Sequence, residues 1–255
     1  MKRILLTNDD GIHSPGLDQL ARAVSKLGDV TVVAPDRERS ACSQSLTLHD
    51  PIRLEELEAG RYAVNGTPAD CVVMALNHLL PCFPDLVISG INRGPNLGHD
   101  IGYSGTVAGA LEAANYQIPA FAVSTALASL QGYAAAAGFA ALLAEALLAD
   151  PPEPGLIFNV NVPAQEAKGI RVTRQGHRNM RNIVVENRDP RGRTYYWIDQ
   201  ELQQELHLLP QDYDYVAVSQ GYISVTPIKA DRTAEGWLER ASLMTAGLSK
   251  QLLPS

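Results

Sequence analysis

The chain has 255 residues, 45% hydrophobic and 19% charged with both signs interspersed, a balance that suits one sizeable α/β domain and excludes a disordered polymer. A formal net charge of -7 argues against nonspecific attachment to nucleic acid or an anionic membrane, and leaves a small anionic substrate open only with local help from a cation or backbone donors. Cys42, Cys71 and Cys82 lack any Cys-x-x-Cys spacing, so neither a disulfide framework nor a zinc site is expected and a reducing compartment is the default.

At the amino end, MKRILLTNDDG meets acidic residues after a short apolar run, too short for the apolar segment of a signal peptide, and the expected location is the cytoplasm. Arg3 to Thr7 is apolar without alternation, as in a strand covered on both faces. Ser14 then offers a helix cap and Pro15 a first helical position, and Leu17, Leu20, Ala21, Val24 and Leu27 recur at helical spacing until Gly28 ends the helix. Val30 to Ala34 is a second buried strand. Strand, helix and strand at this spacing predict a βαβ unit with a right-handed crossover.

The alternation continues. Thr67-Pro68-Ala69-Asp70 opens a helix to about Leu79 with Asp70 as its third-position acid, and Asp85 to Ser89 is a third buried strand. A helix near Thr106 to Tyr116, a strand from Ala120 to Ser124, an alanine-rich helix and a strand from Leu156 to Val160 follow. The alanine-rich stretch carries Glu145 and stops at Asp150, which fits a core helix better than a membrane span. Together these elements predict a doubly wound, mainly parallel sheet.

Beyond about Gly169 the texture changes. GIRVTRQG, RTYYWI, DYVAVSQG and YISVTPI are β-branched or aromatic runs separated by turns such as Asp189-Pro190-Arg191-Gly192, so hairpins are expected rather than further crossovers. Thr233 to Leu253 reads as a capped amphipathic helix with Trp237, Leu238, Leu243 and Leu248 apolar. Subunit contacts and a second layer of the same domain explain this region equally simply.

Polar clusters fall just after predicted strands: Asn8-Asp9-Asp10-Gly11, Ala34 to Ser40, and Ser89 to Asn96, with Tyr103-Ser104-Gly105-Thr106 opening a helix further along. In open parallel sheets such clusters converge outside the carboxyl ends of the strands. Two ionised carboxylates about 4 Å apart repel by roughly 4 kcal/mol at an effective dielectric near 20, and a bound cation is the simplest compensation. Asp9 and Asp10 supply carboxylate oxygens, Ser40 a hydroxyl and Asn92 an amide oxygen, hard donors that favour Mg²⁺, Mn²⁺ or Ca²⁺ over zinc or copper. Ser104, Gly105 and Thr106 stand at a helix start, where free N–H groups and the dipole attract phosphate.

Each stretch has a plainer reading. NDDG alone fits an Asx turn as well as a metal site. Ser-Gly-Thr before a helix is more often simple capping, and Asp36, Arg37, Glu38 and Arg39 fit a solvated loop with compensating charges. The six histidines are scattered, and no Gly-x-Gly-x-x-Gly or Walker A pattern follows the first strand, which weakens dinucleotide and ATPase readings.

In order along the chain, LLTNDDGIHSPGL, VVAPDRERSACSQSLTL, GTPADCV, VISGINRGPNLGHDIGYSGTVAGALEA and GYISVTPI resemble the survival protein E (SurE) family of metal-dependent nucleotidases, with similarity over nearly the whole chain. The resemblance implies an α/β fold: a Rossmann-like, mainly parallel three-layer sandwich with a C-terminal β-hairpin and helix extension. It implies one SurE-like domain over residues 1–255, with a core over about 1–168 and an oligomerisation region over 169–255 that forms a homodimer or homotetramer. It also implies hydrolysis of nucleoside 5′- and 3′-monophosphates, with short-chain polyphosphate as a further substrate, by one divalent metal ion per subunit, Mn²⁺ or Mg²⁺. Carried over by motif, the metal ligands are Asp9, Asp10, Ser40 and Asn92, and the phosphate-binding positions are Asn96, Ser104, Gly105 and Thr106. Asp9, Asn96 and Ser104 form the expected catalytic set. Cys42-Ser43-Gln44 and Arg93 are the variable places beside the ligands.

The mechanism expected from these residues is in-line attack by a metal-activated water, with the helix-start donors on the equatorial phosphate oxygens and with Asp9 as proton acceptor on the condition that it keeps an oxygen free of the metal. Three readings compete: an aspartyl-phosphate route through Asp9, a metal-dependent glycosyltransferase, and a nucleotide sensor without catalysis.

Overall fold

The computed structural model of the chain describes residues 1–177, 180–202 and 205–252. The first half follows from one physical pattern, short apolar runs that are buried on both sides. β1 (Lys2–Thr7) sends Ile4 and Leu6 to one face of the sheet and Leu5 to the other, and all three are essentially inaccessible. β5 (Leu86–Arg93) divides the same way, Leu86 and Ile88 against Val87. Because alternate side chains enter two different cores, neither strand needs a polar face.

On the first face α1 (Pro15–Val24) lays Leu17, Leu20 and Val24 beside Tyr133, Ala136, Ala140 and Ala144 of α4 (Leu130–Ala149). On the second, α2 (Pro68–Met74) and α3 (Gly105–Asn115) supply Cys71, Val72, Val107, Ala110 and Leu111. Helix, sheet and helix make three layers. By length and composition α4 would suffice to cross a membrane, but its alanine stripe packs on α1 and the sheet.

β2 (Gly28–Pro35), β3 (Leu54–Glu58), β4 (Arg61–Val64), β6 (Ala120–Thr125), β7 (Leu156–Val162), β8 (Ile170–Val172) and β11 (Ile223–Lys229) complete a nine-stranded sheet among the described residues, ordered β3-β4-β2-β1-β5-β6-β7-β11-β8. Pairing is parallel from β4 through β7, while β3 and β11 run antiparallel to β4 and β7. The chain winds outward from β1 in both directions. The crevice between the carboxyl ends of β1 and β5 is therefore the switch point at which such sheets bind ligands.

β9 (Met180–Arg188) and β10 (Thr194–Leu202) form a separate antiparallel hairpin closed by the Asp189 to Gly192 turn. It exposes Val184, Tyr196, Trp197 and Ile198. α6 (Leu238–Leu252) likewise leaves Leu238, Leu243 and Met244 exposed. The helix expected over Thr233 to Leu253 thus begins later, after a 3-10 turn over Glu235–Trp237, and Leu253 lies outside the described residues.

Several elements differ from the sequence expectation. Helix α1 stops at Val24, and Gly28 opens β2, where a Cβ would stand 2.1 Å from the Lys2 carbonyl oxygen. The glycine therefore serves strand approach. The run DYVAVSQG is a helix, α5 (Asp214–Ser219), with Val216, Ala217 and Val218 buried; a short apolar run has the same composition in either conformation. The β3–β4 hairpin has no counterpart among the predicted elements, since Glu55, Glu56 and Glu58 make β3 an acidic edge strand. β5 runs on to Arg93, so Asn92 sits inside the strand end. β8 and β11 continue the core sheet, with Thr173 bonding Ser224 and Thr226.

Candidate active site

The loop after β1 is shaped by Asn8, whose Nδ2 donates to the Gly11 carbonyl at 3.0 Å and to Ser14 Oγ at 2.7 Å. Ser14 in turn accepts from the Leu17 N–H and caps α1. Gly11 adopts φ +98°, a left-handed conformation that costs glycine little. From the neighbouring hairpin Arg61 reaches Asp18 of α1 at 2.7 Å and the Ile12 carbonyl, fastening the far side of the loop. Asp9 and Asp10 are thus presented from a braced turn at the switch point.

Asp9 is buried and held by the start of α3. The Thr106 N–H donates to Asp9 Oδ2 at 3.0 Å and the Thr106 hydroxyl donates to Oδ1. Burial nevertheless pushes the Asp9 carboxyl up to about 6, with the Asp10 charge adding to the rise and the Thr106 bonds opposing it. Asp10 is also raised by burial, against the Arg93 N–H that donates to its Oδ2 at 2.9 Å, while Glu38 pushes it further up. Two neighbouring acids that are costly to ionise favour a cation beside them.

The other oxygen donors approach from β2 and β5. Arg39 donates its N–H to the Asp9 carbonyl at 2.7 Å, which places the following residue, Ser40, beside the aspartate loop. Ser40 Oγ donates to Glu38 Oε1 at 2.7 Å, leaving its lone pairs uncommitted to that bond, and Arg93 lies 3.7 Å from Glu38 Oε2. Glu38 thereby links Ser40 and Arg93 while staying exposed, and with the ion pairs of Asp36 with Arg37 and Arg39 it fits the solvated loop with compensating charges. Asn92 donates Nδ2 to the Gly94 carbonyl at 2.7 Å, so its amide oxygen is the atom left for a cation. Among the described residues there is no cluster of three His, Cys, Asp or Glu side chains, as expected when half of a donor set is hydroxyl and amide. These donors are hard oxygens, and together with the raised carboxyls they fit Mg²⁺ or Mn²⁺.

The helix-start donors are partly spent. The Ser104 hydroxyl accepts from the Val107 N–H at 3.1 Å, and the Thr106 N–H is taken by Asp9. The first turn of α3 therefore leaves the Gly105 N–H and the Ser104 hydroxyl hydrogen as donors, while the Thr106 N–H and hydroxyl are given to the Asp9 carboxylate. Gly105 also serves packing, because a Cβ there would lie 2.8 Å from Cys42 Sγ and 2.9 Å from Asp9 Cβ. Cys42 is half-buried, its thiol pushed up to about 11 by burial and then by Asp9, which keeps it protonated and poorly nucleophilic.

Asn96, buried at the end of the β5 loop, donates Nδ2 to Ser124 Oγ at 2.8 Å, and its peptide is bonded by Asn159 and Asn161 of β7. Further along, Asp214 of α5 accepts the N–H groups of Gly98, Gly176 and Tyr215 at 2.7, 3.1 and 2.8 Å, joining the turn before Ser104 to the C-terminal region. Neither β7 nor α5 carries a site signal in the sequence, since their polar residues meet the site across long separations.

A model of the family described as survival protein SurE matches residues 4–182. The chain belongs to the SurE family. This SurE chain is 50% identical over 236 residues to the 5′-nucleotidase SurE of Geobacter sulfurreducens, covering 90% of this chain and 88% of that one. It is 46% identical over 254 residues to the 5′/3′-nucleotidase SurE of Salmonella paratyphi A, covering 95% and 99%. The crystal structure of the SurE protein from Aquifex aeolicus superposes with a TM-score of 0.84 at 40% identity, covering 95% of this chain and 99% of that one. The SurE fold, a mainly parallel α/β sheet between helices, is thus common to both.

Proposed function

We infer that this SurE chain is a phosphomonoesterase that removes phosphate from nucleoside 5′- and 3′-monophosphates, with short-chain polyphosphate as a secondary substrate. The observation that carries the reading is the Asp9–Asp10 pair at the β1–β5 switch point, facing the start of α3 in a family whose relatives are named nucleotidases.

Asp9, Asp10, Ser40 and Asn92 would hold one Mn²⁺ or Mg²⁺. When bound, the ion supplies charge neutralisation for the phosphate and acidifies a water for in-line attack. The chain's own groups do the rest. Arg93 N–H and Thr106 fix the two carboxylates, so the donor set does not rearrange as charge moves. The Gly105 N–H, the Ser104 hydroxyl and the Asn96 amide donate to the phosphate oxygens, in the place where charge redistributes along the reaction. Asp9 accepts the proton of the attacking water on a carboxylate oxygen left free of the ion, through the lone pair not taken by Thr106.

The exposed hairpin and α6 support assembly with further copies of the chain as a homodimer or homotetramer, because an isolated two-stranded hairpin is at best marginal in water. We place the enzyme in the cytoplasm.

Phosphate release from AMP, GMP and 3′-AMP, with Mn²⁺ or Mg²⁺ and with EDTA, tests the activity. Release that EDTA abolishes supports it, and intact nucleotide binding without release would favour a sensor. A single turnover in ¹⁸O-water places the label on phosphate alone; label on an aspartate would establish the aspartyl-phosphate route.

A further inference from the structure

We infer that Asn161 is a positioning residue for phosphate-ester hydrolysis, acting through Asn96 from the strand behind it. The inference rests on the reading of Asn96 as a phosphate donor and adds the group that aims it.

The Asn161 side chain forms a closed pair with the Asn96 peptide. The Asn96 N–H donates to Asn161 Oδ1 at 2.8 Å, and Asn161 Nδ2 donates back to the Asn96 carbonyl at 3.0 Å. Asn159, two residues earlier and therefore on the same face of β7, donates its Nδ2 to the same carbonyl at 2.8 Å. Both asparagines are fully inaccessible, and Asn159 Oδ1 has no partner among the described residues. Buried amides in a strand are costly when incompletely bonded, so stability alone favours apolar residues at these two places. Apart from Asn159 Oδ1, their polar atoms are spent on the main chain of one residue of the site loop, Asn96.

The third point of the grip is Ser124, which pairs in register with Asn161 on one side and with Asn92 on the other. Its hydroxyl accepts one of the two hydrogens of Asn96 Nδ2. With the peptide fixed by β7 and one amide hydrogen fixed by β6, the planar amide leaves its second hydrogen a single direction. That hydrogen is the one available to a phosphate oxygen. Removing Asn161 releases the Asn96 N–H and one of the two donors to its carbonyl, and the amide turns with the loosened main chain.

The full-length chain is assayed on AMP with Mn²⁺ as wild type, Asn96→Ala, Asn161→Ala and the double variant. Misaiming by a fraction of an ångström to one ångström lowers kcat about 10- to 100-fold, with KM for AMP changed less than about threefold, as for a group used in the transition state. In the Asn96→Ala background the Asn161 substitution costs less than about twofold further, because its effect has no other carrier. Multiplicative losses in the double variant overturn the proposal, as does a full-rate Asn161→Ala beside a slow Asn96→Ala. A full-rate Asn96→Ala overturns the phosphate role of Asn96 and this proposal with it. Asn159→Ala, which removes one of the two donors to the carbonyl, follows the same pattern with a smaller loss and carries the test where Asn161→Ala does not fold. Independently of turnover, the Asn96 backbone amide exchanges faster with solvent in metal-free Asn161→Ala than in wild type; unchanged exchange overturns the grip.

Discussion

Thr106 holds Asp9 with two donors, its N–H at 3.0 Å from Oδ2 and its hydroxyl on Oδ1, so the first turn of α3 and the loop after β1 are joined through one carboxylate. This bond pair orients the acid that most needs a cation and removes one helix-start N–H from anion binding. On the proposed function, the same contact ties α3 to both the metal-holding and the phosphate-binding groups.

Asp10→Asn is expected to lower phosphate release from AMP by at least about 10³-fold, the scale of losing a central charge-stabilising group. Asp9→Asn should do the same. Both should retain the wild-type circular dichroism spectrum, and without metal both should unfold at a higher temperature because the repulsion between neighbouring acids is relieved. Near-normal turnover in either variant would remove that acid from the site.

The metal-free enzyme should lose stability as pH rises through the range of about 4 to 6. Asp9 titrates at about 6 in the folded chain and near the ordinary carboxyl value of 3.8 in the unfolded one, so between the two the folded chain binds more protons. Its stabilising contribution is complete below the lower value and gone above the upper one, a change of about 2–3 kcal/mol. Urea midpoints of EDTA-treated protein measure it, and Asp9→Asn should abolish that part of the slope. In the same window Mn²⁺ should bind more weakly as pH falls, since protons compete for the carboxylate.

Gly105→Ala places a methyl group 2.8 Å from Cys42 Sγ and 2.9 Å from Asp9 Cβ. Overpacking of this kind costs about 1–3 kcal/mol. The variant should melt earlier and release phosphate at least about tenfold more slowly as Asp9 is pushed off its seat. Adding Cys42→Ala should recover stability; failure to do so would show that the clash lies with Asp9 alone.

Asp214→Asn tests the junction between the Gly98 turn and the C-terminal region. Burial raises this carboxyl, yet it accepts three backbone N–H groups, and an amide oxygen cannot replace two carboxylate oxygens. A loss of about 2–3 kcal/mol in chemical denaturation is expected. Unchanged stability would mean that the three N–H groups find other acceptors.

Replacing both Trp197 and Ile198 with glutamate puts charge on opposite faces of the hairpin. On the proposed assembly, light scattering should then report a single chain for the variant and a dimer or tetramer for the wild type. An unaltered mass would place the subunit contact elsewhere.

Much of the fold is legible in the amino-acid sequence, as are the oxygen-bearing side chains that gather at the switch point, and for a specific reason. Strands such as β1 and β5 serve two cores at once, so they appear as largely apolar runs, and the polar residues at their carboxyl ends, Asp9 and Asp10 after β1 and Asn92 in β5, stand out. Ser14, Thr67 and Asp70 are readable because capping is local: Thr67 Oγ1 accepts from the Asp70 N–H at 3.1 Å, and Asp70 Oδ2 from the Thr67 N–H at 2.8 Å. What escapes such reading is nonlocal or ambiguous in composition. Gly28 resembles a helix stop because its real neighbour, Lys2, lies in another strand, and the acidic β3 carries no apolar signal. Asn159 and Asn161 meet Asn96 across 63 and 65 residues, a separation that no motif spans.

The placement of β11 between β7 and β8 has a consequence for biosynthesis. β7 is complete at Val162, but its antiparallel neighbour begins only at Ile223, after the hairpin and α5 have been made. During that interval the nascent chain carries an unpaired sheet edge, the kind of surface that recruits foreign strands. Slowing translation between these two points should raise the yield of aggregated product, and supplying the strand earlier, by circular permutation, should lower it.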